Sequence, residues 1–271
     1  MNKTIIEAGK GSLFPDFGEL KKYKHLLSSL AWRDIRVKYA QTYVGLLWAF
    51  INPIFNLIVL SFVFGVVAKV DTGDIPHVVF TIAGLSAWTY FSTLMSEAGT
   101  SIIGAQNMIK KIYFPRLVIP LSKALSGFVD LGITLLCLIV LMAFYGIAPS
   151  SNIIYLPIFI IIAILSGLAG GILVSALVAR YRDFTFVVPM IVRLGLYASP
   201  VAYSASAVPE QYKFFYYLNP MAGVIEGFRW SLLGTGSPEP YMFYSIGIIL
   251  VLFVFSLYYF TQVERVMADV I

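Results

Sequence analysis

Cysteine, histidine and charge are all scarce in this chain, and each shortage closes a class of chemistry. The one cysteine in 271 residues, Cys137, lies inside an apolar run, so neither a disulfide framework nor a cysteine-based metal site can be built. Only two histidines occur. His25 falls on a polar-faced helical pattern and His77 at the outer edge of an apolar run, so neither sits at the depth where a nucleophile and its base would meet. No group of His, Cys and carboxylates falls at metal-ligand spacing. Charged residues make up 12% of the chain against 59% hydrophobic, with mean hydropathy +0.85, which excludes an ordinary soluble globule and indicates an all-α polytopic membrane protein. The net charge of +5 is spread over short segments between apolar runs and does not gather on one folded face, so no nucleic-acid partner is expected. The first 40 residues lack a compact apolar core followed by a small-residue cleavage site, so no removable signal is expected and the N-terminus should stay in the cytoplasm.

What is present is a series of apolar stretches. Six spans are predicted, at about 44–67, 78–103, 121–145, 153–179, 184–203 and 241–260, preceded by a cytoplasmic segment over residues 1–40. Asn52-Pro53 interrupts the first span and should kink it; Ser199-Pro200 breaks the fifth. The segment 204–240 is too long and too apolar for a simple loop. Asn219 reads as an N-cap with Pro220 in the first turn, and Glu226 and Arg229 are spaced to pair along one helix face. Short helices that dip into the outer membrane surface without crossing are expected there. Of the 19 Lys and Arg, all but Lys69, Arg193, Lys213 and Arg229 fall on segments this topology places inside, which orients the chain with both ends in the cytoplasm. The fourth span carries Ala163, Gly167, Gly171, Ser175 and Ala179 four apart, a stripe that admits close backbone approach either within the subunit or between subunits.

Two inner segments stand out. From Asp16 to Lys38 the apolar positions Phe17, Leu20, Tyr23, Leu27, Leu30 and Ala31 recur at helical steps opposite Lys21, Lys22, Lys24 and Ser28, so a helix along the inner leaflet is expected, as an anchor or as a brace for a cytoplasmic partner. Between the second and third spans, Gln106, Asn107, Met108, Ile109, Lys110, Lys111, Ile112 and Tyr113 can form two turns of amphipathic helix that Pro115 stops. With Arg116, this elbow is either a basic interfacial loop or a docking helix that receives force from a soluble partner. Gly99 to Gln106 has the glycine spacing of a phosphate loop, but Ala105 and Gln106 stand where Lys and Ser/Thr are needed. ATP cannot be bound that way, so nucleotide-driven work needs a separate protein.

Glu97, Asp130 and Arg193 are ionisable residues within or near spans, where charge must face protein, an interface or water. Glu97 and Asp130 are placed to act as structural ion-pair partners or as helix-end charges. Arg193 either pairs inside the bundle or lines a pathway for an anionic group. Trp32, Trp88 and Trp230 read as interfacial belt residues. Tyr39, Tyr43, Trp48, Tyr90, Phe91, Tyr197 and Tyr203 either extend that belt or present stacking faces to sugar rings in a conduit. Neither midplane carboxylates nor repeated halves are evident, which argues against a proton-coupled carrier.

The order of Arg33-Asp-Ile-Arg-Val-Lys-Tyr-Ala-Gln-Thr-Tyr-Val-Gly-Leu-Leu-Trp48 with Asn52-Pro53, then Lys111-Ile-Tyr-Phe-Pro-Arg116, then Ser199-Pro-Val-Ala-Tyr203 and Leu218-Asn-Pro220, behind an amphipathic N-terminal helix, resembles the ABC-2-type permeases that export polysaccharides, among them O-antigen, capsule and teichoic-acid exporters. The resemblance covers nearly the whole chain. It implies a half-transporter in the bacterial cytoplasmic membrane that pairs with a second copy of itself, with two ATP-binding-cassette subunits holding ATP and Mg below, and a lipid-linked polysaccharide as cargo. It implies that Gln106 to Arg116 is the coupling helix, that the turn Arg180, Arg182 and Asp183 is a second contact, and that Pro200, Asn219, Pro220, Glu226 and Arg229 belong to an outer gate. It also implies that the first and fifth spans line the path. Export of a small drug or lipid is the alternative within the class; an intramembrane enzyme is the alternative outside it.

Overall fold

The computed structural model describes residues 13–40, 47–236, 238–265 and 267, and among them the secondary structure is helical with no strand. The helices are α1 (Phe17–Lys22), α2 (Lys24–Ala40), α3 (Leu47–Leu60), α4 (His77–Gly104), α5 (Gln106–Ile109), α6 (Val118–Phe144), α7 (Leu156–Arg180), α8 (Phe184–Ala198), α9 (Glu210–Tyr217), α10 (Pro220–Leu233) and α11 (Met242–Glu264). Five stretches are long and apolar enough to cross a membrane, at Leu47–Val67, His77–Gly104, Val118–Phe144, Ser151–Arg180 and Met242–Glu264, and Phe184–Ala198 is a shorter apolar helix. The chain is a multi-pass, all-α membrane protein.

α4 is the axis of the bundle. It is the most deeply buried of the five spans and packs on α6, α7 and α10. The small-residue stripe of α7 is what lets it in. A Cβ at Gly167 would stand 2.7 Å from Leu94 Cδ2, one at Gly171 would stand 2.6 Å from the Ala98 Cβ, and one at Gly99 would stand 2.7 Å from Val174 Cγ1. The two helices therefore touch almost backbone to backbone, and the stripe is used inside the subunit. These pairs march in step from Leu94–Gly167 to Gly99–Val174, so α4 and α7 run parallel and their C-termini share one end of the bundle, together with the elbow.

Three boundaries differ from expectation. The helix expected from Asp16 to Lys38 is divided at Tyr23: Asp16 caps α1 by accepting from the Gly18 and Glu19 amides at 2.8 and 3.1 Å, and α2 begins after the break. The elbow helix is a single turn, Gln106–Ile109, followed by a turn in which the Lys111 and Ile112 amides both donate to the Met108 carbonyl. Pro115 disfavours a helical Phe114, and the Phe114 ring is buried at 5% exposure, so the chain leaves the helix early to seat that ring. The fifth apolar helix ends at Ala198, short of Tyr203. Ser199 is extended at φ −99, ψ 152, the conformation forced on a residue before proline. Fifteen residues reach about 22 Å, less than the roughly 30 Å hydrocarbon layer, and Ser199, Val201 and Ala202 fold into the interior beyond the helix.

In the first span Pro53 lies within α3, and Ser61–Val67 continues it as a π-helix. The Gly65 position faces the His77 ring, where an added Cβ would sit 3.0 Å from its Cγ, so the widened turn accommodates the start of α4. The residues 44–46 at the expected start of this span, and Tyr43, lie outside the described residues. Apolar side chains of α3, of the π-helix that continues it and of α8 remain exposed, among them Phe55, Phe62, Phe186 and Met190, surfaces suited to lipid or to another subunit.

Candidate functional site

At the end of the bundle that holds the C-termini of α4 and α7 the elbow is held from two sides. The Arg116 amide donates to Glu264 Oε1 at 2.8 Å, and the Arg116 guanidinium donates to the Glu264 carbonyl. This two-bond clasp ties the elbow to the end of α11, and with Phe114 buried it fixes one end of the segment. On the free side Asn107, Lys110, Lys111, Ile112 and Tyr113 are exposed, with Tyr113 at 70%. Of the four apolar residues expected on one helical face, Met108 and Ile109 pack on the core, while Ile112 and Tyr113 swing outward because the helix stops after one turn; Gln106 and Arg116 are half-buried. Partial burial, then the nearby carboxylates of Glu19 and Glu264, hold the Tyr113 hydroxyl above its ordinary range, so it remains a neutral hydrogen-bonding group. A groove of about 580 Å³ runs between α1, the elbow and the end of α11, with Asp16 and Glu19 on one wall and Lys110 and Lys111 on the other. Glu264 was not visible from the sequence, since nothing in its spacing to Arg116 indicates contact.

The turn of Arg180, Tyr181, Arg182 and Asp183 lies at the same end and is exposed throughout. Arg180 stacks on the Tyr181 ring at 5.4 Å. α2 stands against α6, held by Lys123 to Asp34 at 2.6 Å and by Lys38, which reaches Asp130 at 2.6 Å and Glu97 at 3.0 Å. Glu97 and Asp130 are thus ion-pair partners of one lysine. Burial pulls the Lys38 ammonium down, but the two carboxylates outweigh it and leave it above its usual range. Tyr39 donates to Asp130 Oδ1 at 2.5 Å.

At the opposite end Asn219 caps α10 by accepting from the Met221 amide at 3.0 Å, and its amide nitrogen donates to Ser199 Oγ at 2.8 Å, beside Pro200 and Pro220. Arg229 is fully buried. Its guanidinium pairs with Glu226 at 3.1 Å and donates to the carbonyls of Val201 at 2.6 Å, Tyr203 at 3.0 Å and Phe80 at 3.3 Å, with its carbon 3.7 Å from the centre of the Phe80 ring. One cation thus ties α10, α4 and the turn after α8 together. Gly84 makes room for it, since a Cβ there would stand 2.7 Å from Arg229 Nη2. The expected Glu226–Arg229 pair forms, but the carbonyl cage carries no sequence signal.

Several aromatic residues are not where a conduit needs them. Tyr90 is fully buried, donating to the Ala124 carbonyl at 3.0 Å, and Phe91 is packed against Trp88 at 5.3 Å. Trp88 itself leaves the expected interfacial belt for the interior, because Gly195 opens a gap in α8 that its ring fills. Trp48 and Tyr197 are exposed, Tyr203 is half-buried and donates to the Ala198 carbonyl at 3.2 Å, and Trp32 is exposed under the Arg36 guanidinium. Arg193 is exposed on the same face of α8 as Met190 and Tyr197 and makes no ion pair among the described residues, so pairing inside this bundle does not account for it. No group of His, Cys and carboxylates among the described residues could hold a metal.

Comparison with known proteins agrees with this architecture. The family described as ABC-2 type transporter matches residues 25–233. The O-antigen export system permease protein RfbA of Klebsiella pneumoniae is 31% identical over 209 residues, covering 75% of this chain and 78% of that protein. RfbA of Myxococcus xanthus is 27% identical over 213 residues, covering 78% and 81%. The polysialic acid transport protein KpsM of Escherichia coli is 22% identical over 208 residues, covering 75% and 79%.

Proposed function

The chain belongs to the ABC-2 type transporter family, and from that premise we propose that it is the membrane subunit of an ATP-driven exporter that moves a lipid-linked polysaccharide outward across the bacterial cytoplasmic membrane. The observation that carries the mechanism is the elbow: fixed at Phe114 and Arg116, open at Asn107 and at Lys110 to Tyr113, and joined to three long helices, α4, α6 and α11. A push on its free side is delivered to all three at once. Two copies of the chain pair, each docked to an ATP-binding-cassette subunit that holds ATP and Mg, and both termini face those subunits. The exposed apolar faces of α3 and α8, with Arg193, Trp48 and Tyr197, meet across the pair and border the path. The outer cap held by Arg229 and Asn219 closes it above. A difference of a few kcal/mol between open and closed arrangements suffices for gating.

The test is site-specific crosslinking. A photoreactive amino acid in place of Tyr113, in the chain co-expressed with the ATPase encoded beside it, is expected to yield a covalent product with that ATPase, and one in place of Leu136, on the apolar face of α6, is not. Co-purification with no product from the elbow positions would overturn the proposal.

A further inference from the structure

Where α2, α3, α4 and α6 meet there is a cavity of about 160 Å³ that the exporter reading does not use as such. We propose that it is a binding subsite for one neutral, hydroxyl-rich sugar ring of the exported chain; this rests on the proposed function and names what the inner part of the path recognises. Trp48 lines it with a half-exposed indole, and Asn52, Thr89, Thr93, Lys38 and Asp130 supply polar groups. Thr89 and Thr93 lie near the middle of α4 and Asp130 near the middle of α6, each half-buried, and a polar group withdrawn from water is costly unless it is paired. Yet no side chain of Asn52, Thr89 or Thr93 has a hydrogen-bond partner among the described residues. Pro53 has no amide hydrogen, so the carbonyl of Ala49, which also borders the cavity, lacks its usual helical donor.

Charge selects the occupant. Lys38 and Asp130 both line the cavity and are paired with each other, with Glu97 on the far side of Lys38, so a metal cation meets the ammonium and an anion meets the Asp130 carboxylate. A ligand of hydroxyl groups suffers neither penalty. It can donate to Asp130 and the Ala49 carbonyl, exchange bonds with the threonine hydroxyls and the Asn52 amide, and lay its apolar face on Trp48. The cavity is smaller than the roughly 300 Å³ at which drug-sized pockets begin, which fits a single ring.

The test uses the chain in complex with its ATPase in nanodiscs, with Cys137→Ser removing the native thiol and Thr93→Cys placing one in the cavity. Labelling by a small methanethiosulfonate is followed with methyl glucoside, methyl galactoside or methyl mannoside, and with glucuronate, inorganic phosphate and calcium as charged probes. At least one neutral glycoside is expected to slow labelling, by about tenfold at ten times its half-protecting concentration, and the charged probes are not. If Thr93→Cys does not assemble, Asn52→Cys serves, since Asn52 is exposed at the cavity mouth. Absence of protection by every neutral glycoside, or equal protection by a charged probe, overturns the subsite. Failure of the ATPase to co-purify would instead overturn the exporter reading, so the two outcomes are distinct.

Discussion

Arg229 is the residue on which the outer half most depends. A guanidinium taken wholly out of water is tolerated only because a carboxylate and three carbonyls replace its hydration. Arg229→Met would leave the half-buried Glu226 without its cation and the Val201 and Tyr203 carbonyls without this donor, and a loss of about 3–5 kcal/mol is expected from breaking such a pair. Arg229→Lys should rescue little, because an ammonium cannot span carbonyls in the planar fork that the site uses. Thermal unfolding of the purified variants in detergent checks both: Met and Lys should each unfold well below the parent, and a Lys variant as stable as the parent would contradict the cage. At this scale the sequence was half legible. The spacing of Glu226 and Arg229 announced their pair, and Glu97 and Asp130 read as ion-pair partners or helix-end charges, but that Lys38 is the cation they share, and that backbone acceptors such as Val201 and Phe80 complete the Arg229 site, leave no mark in a sequence.

Among the elements, the α4–α7 contact is specified by side-chain size at three glycines, Gly99, Gly167 and Gly171. Gly171→Val would push a branched side chain into a site where even a Cβ lies 2.6 Å from Ala98, and with backbone on the other side it cannot yield cheaply. A destabilisation of about 1–3 kcal/mol is expected from such overpacking, while Gly132→Ala on α6, where an added Cβ meets nothing within 4 Å, should leave unfolding unchanged and serves as the control. Equal melting of the two variants would show that the small residues are not spent on this contact. The long elements were readable because hydropathy runs over about 20 residues are dictated by membrane thickness. The elbow and α8 were misjudged in length for one shared reason. In each, a proline forces the preceding residue to extend, and whether the chain stops there or some residues earlier depends on a tertiary partner, the pocket for Phe114 in one and the buried turn at Val201 in the other.

Over the whole molecule, the two ends of the bundle are built differently. One end gathers the elbow, the Arg180 to Asp183 turn and the Glu264 clasp; the opposite end gathers the Arg229 cage and the Asn219 cap. α4 joins them as the most buried of the spans, and under the proposed mechanism a displacement at the elbow would reach the other end through this close-packed helix. The apolar runs made the multi-pass helical arrangement legible beforehand. What could not be read was which aromatic residues face outward, since Tyr90 and Trp48 look alike in a sequence and only the packing of α4 against α6 and α8 separates them. The central claim is that force enters at the elbow, and the most direct measurement is paired: translocation of lipid-linked polysaccharide and ATP hydrolysis in proteoliposomes holding the chain with its ATPase, for the parent and for Lys110→Glu with Lys111→Glu. Hydrolysis that continues while translocation is lost is the result expected. Translocation at the parental rate with those charges reversed would contradict it.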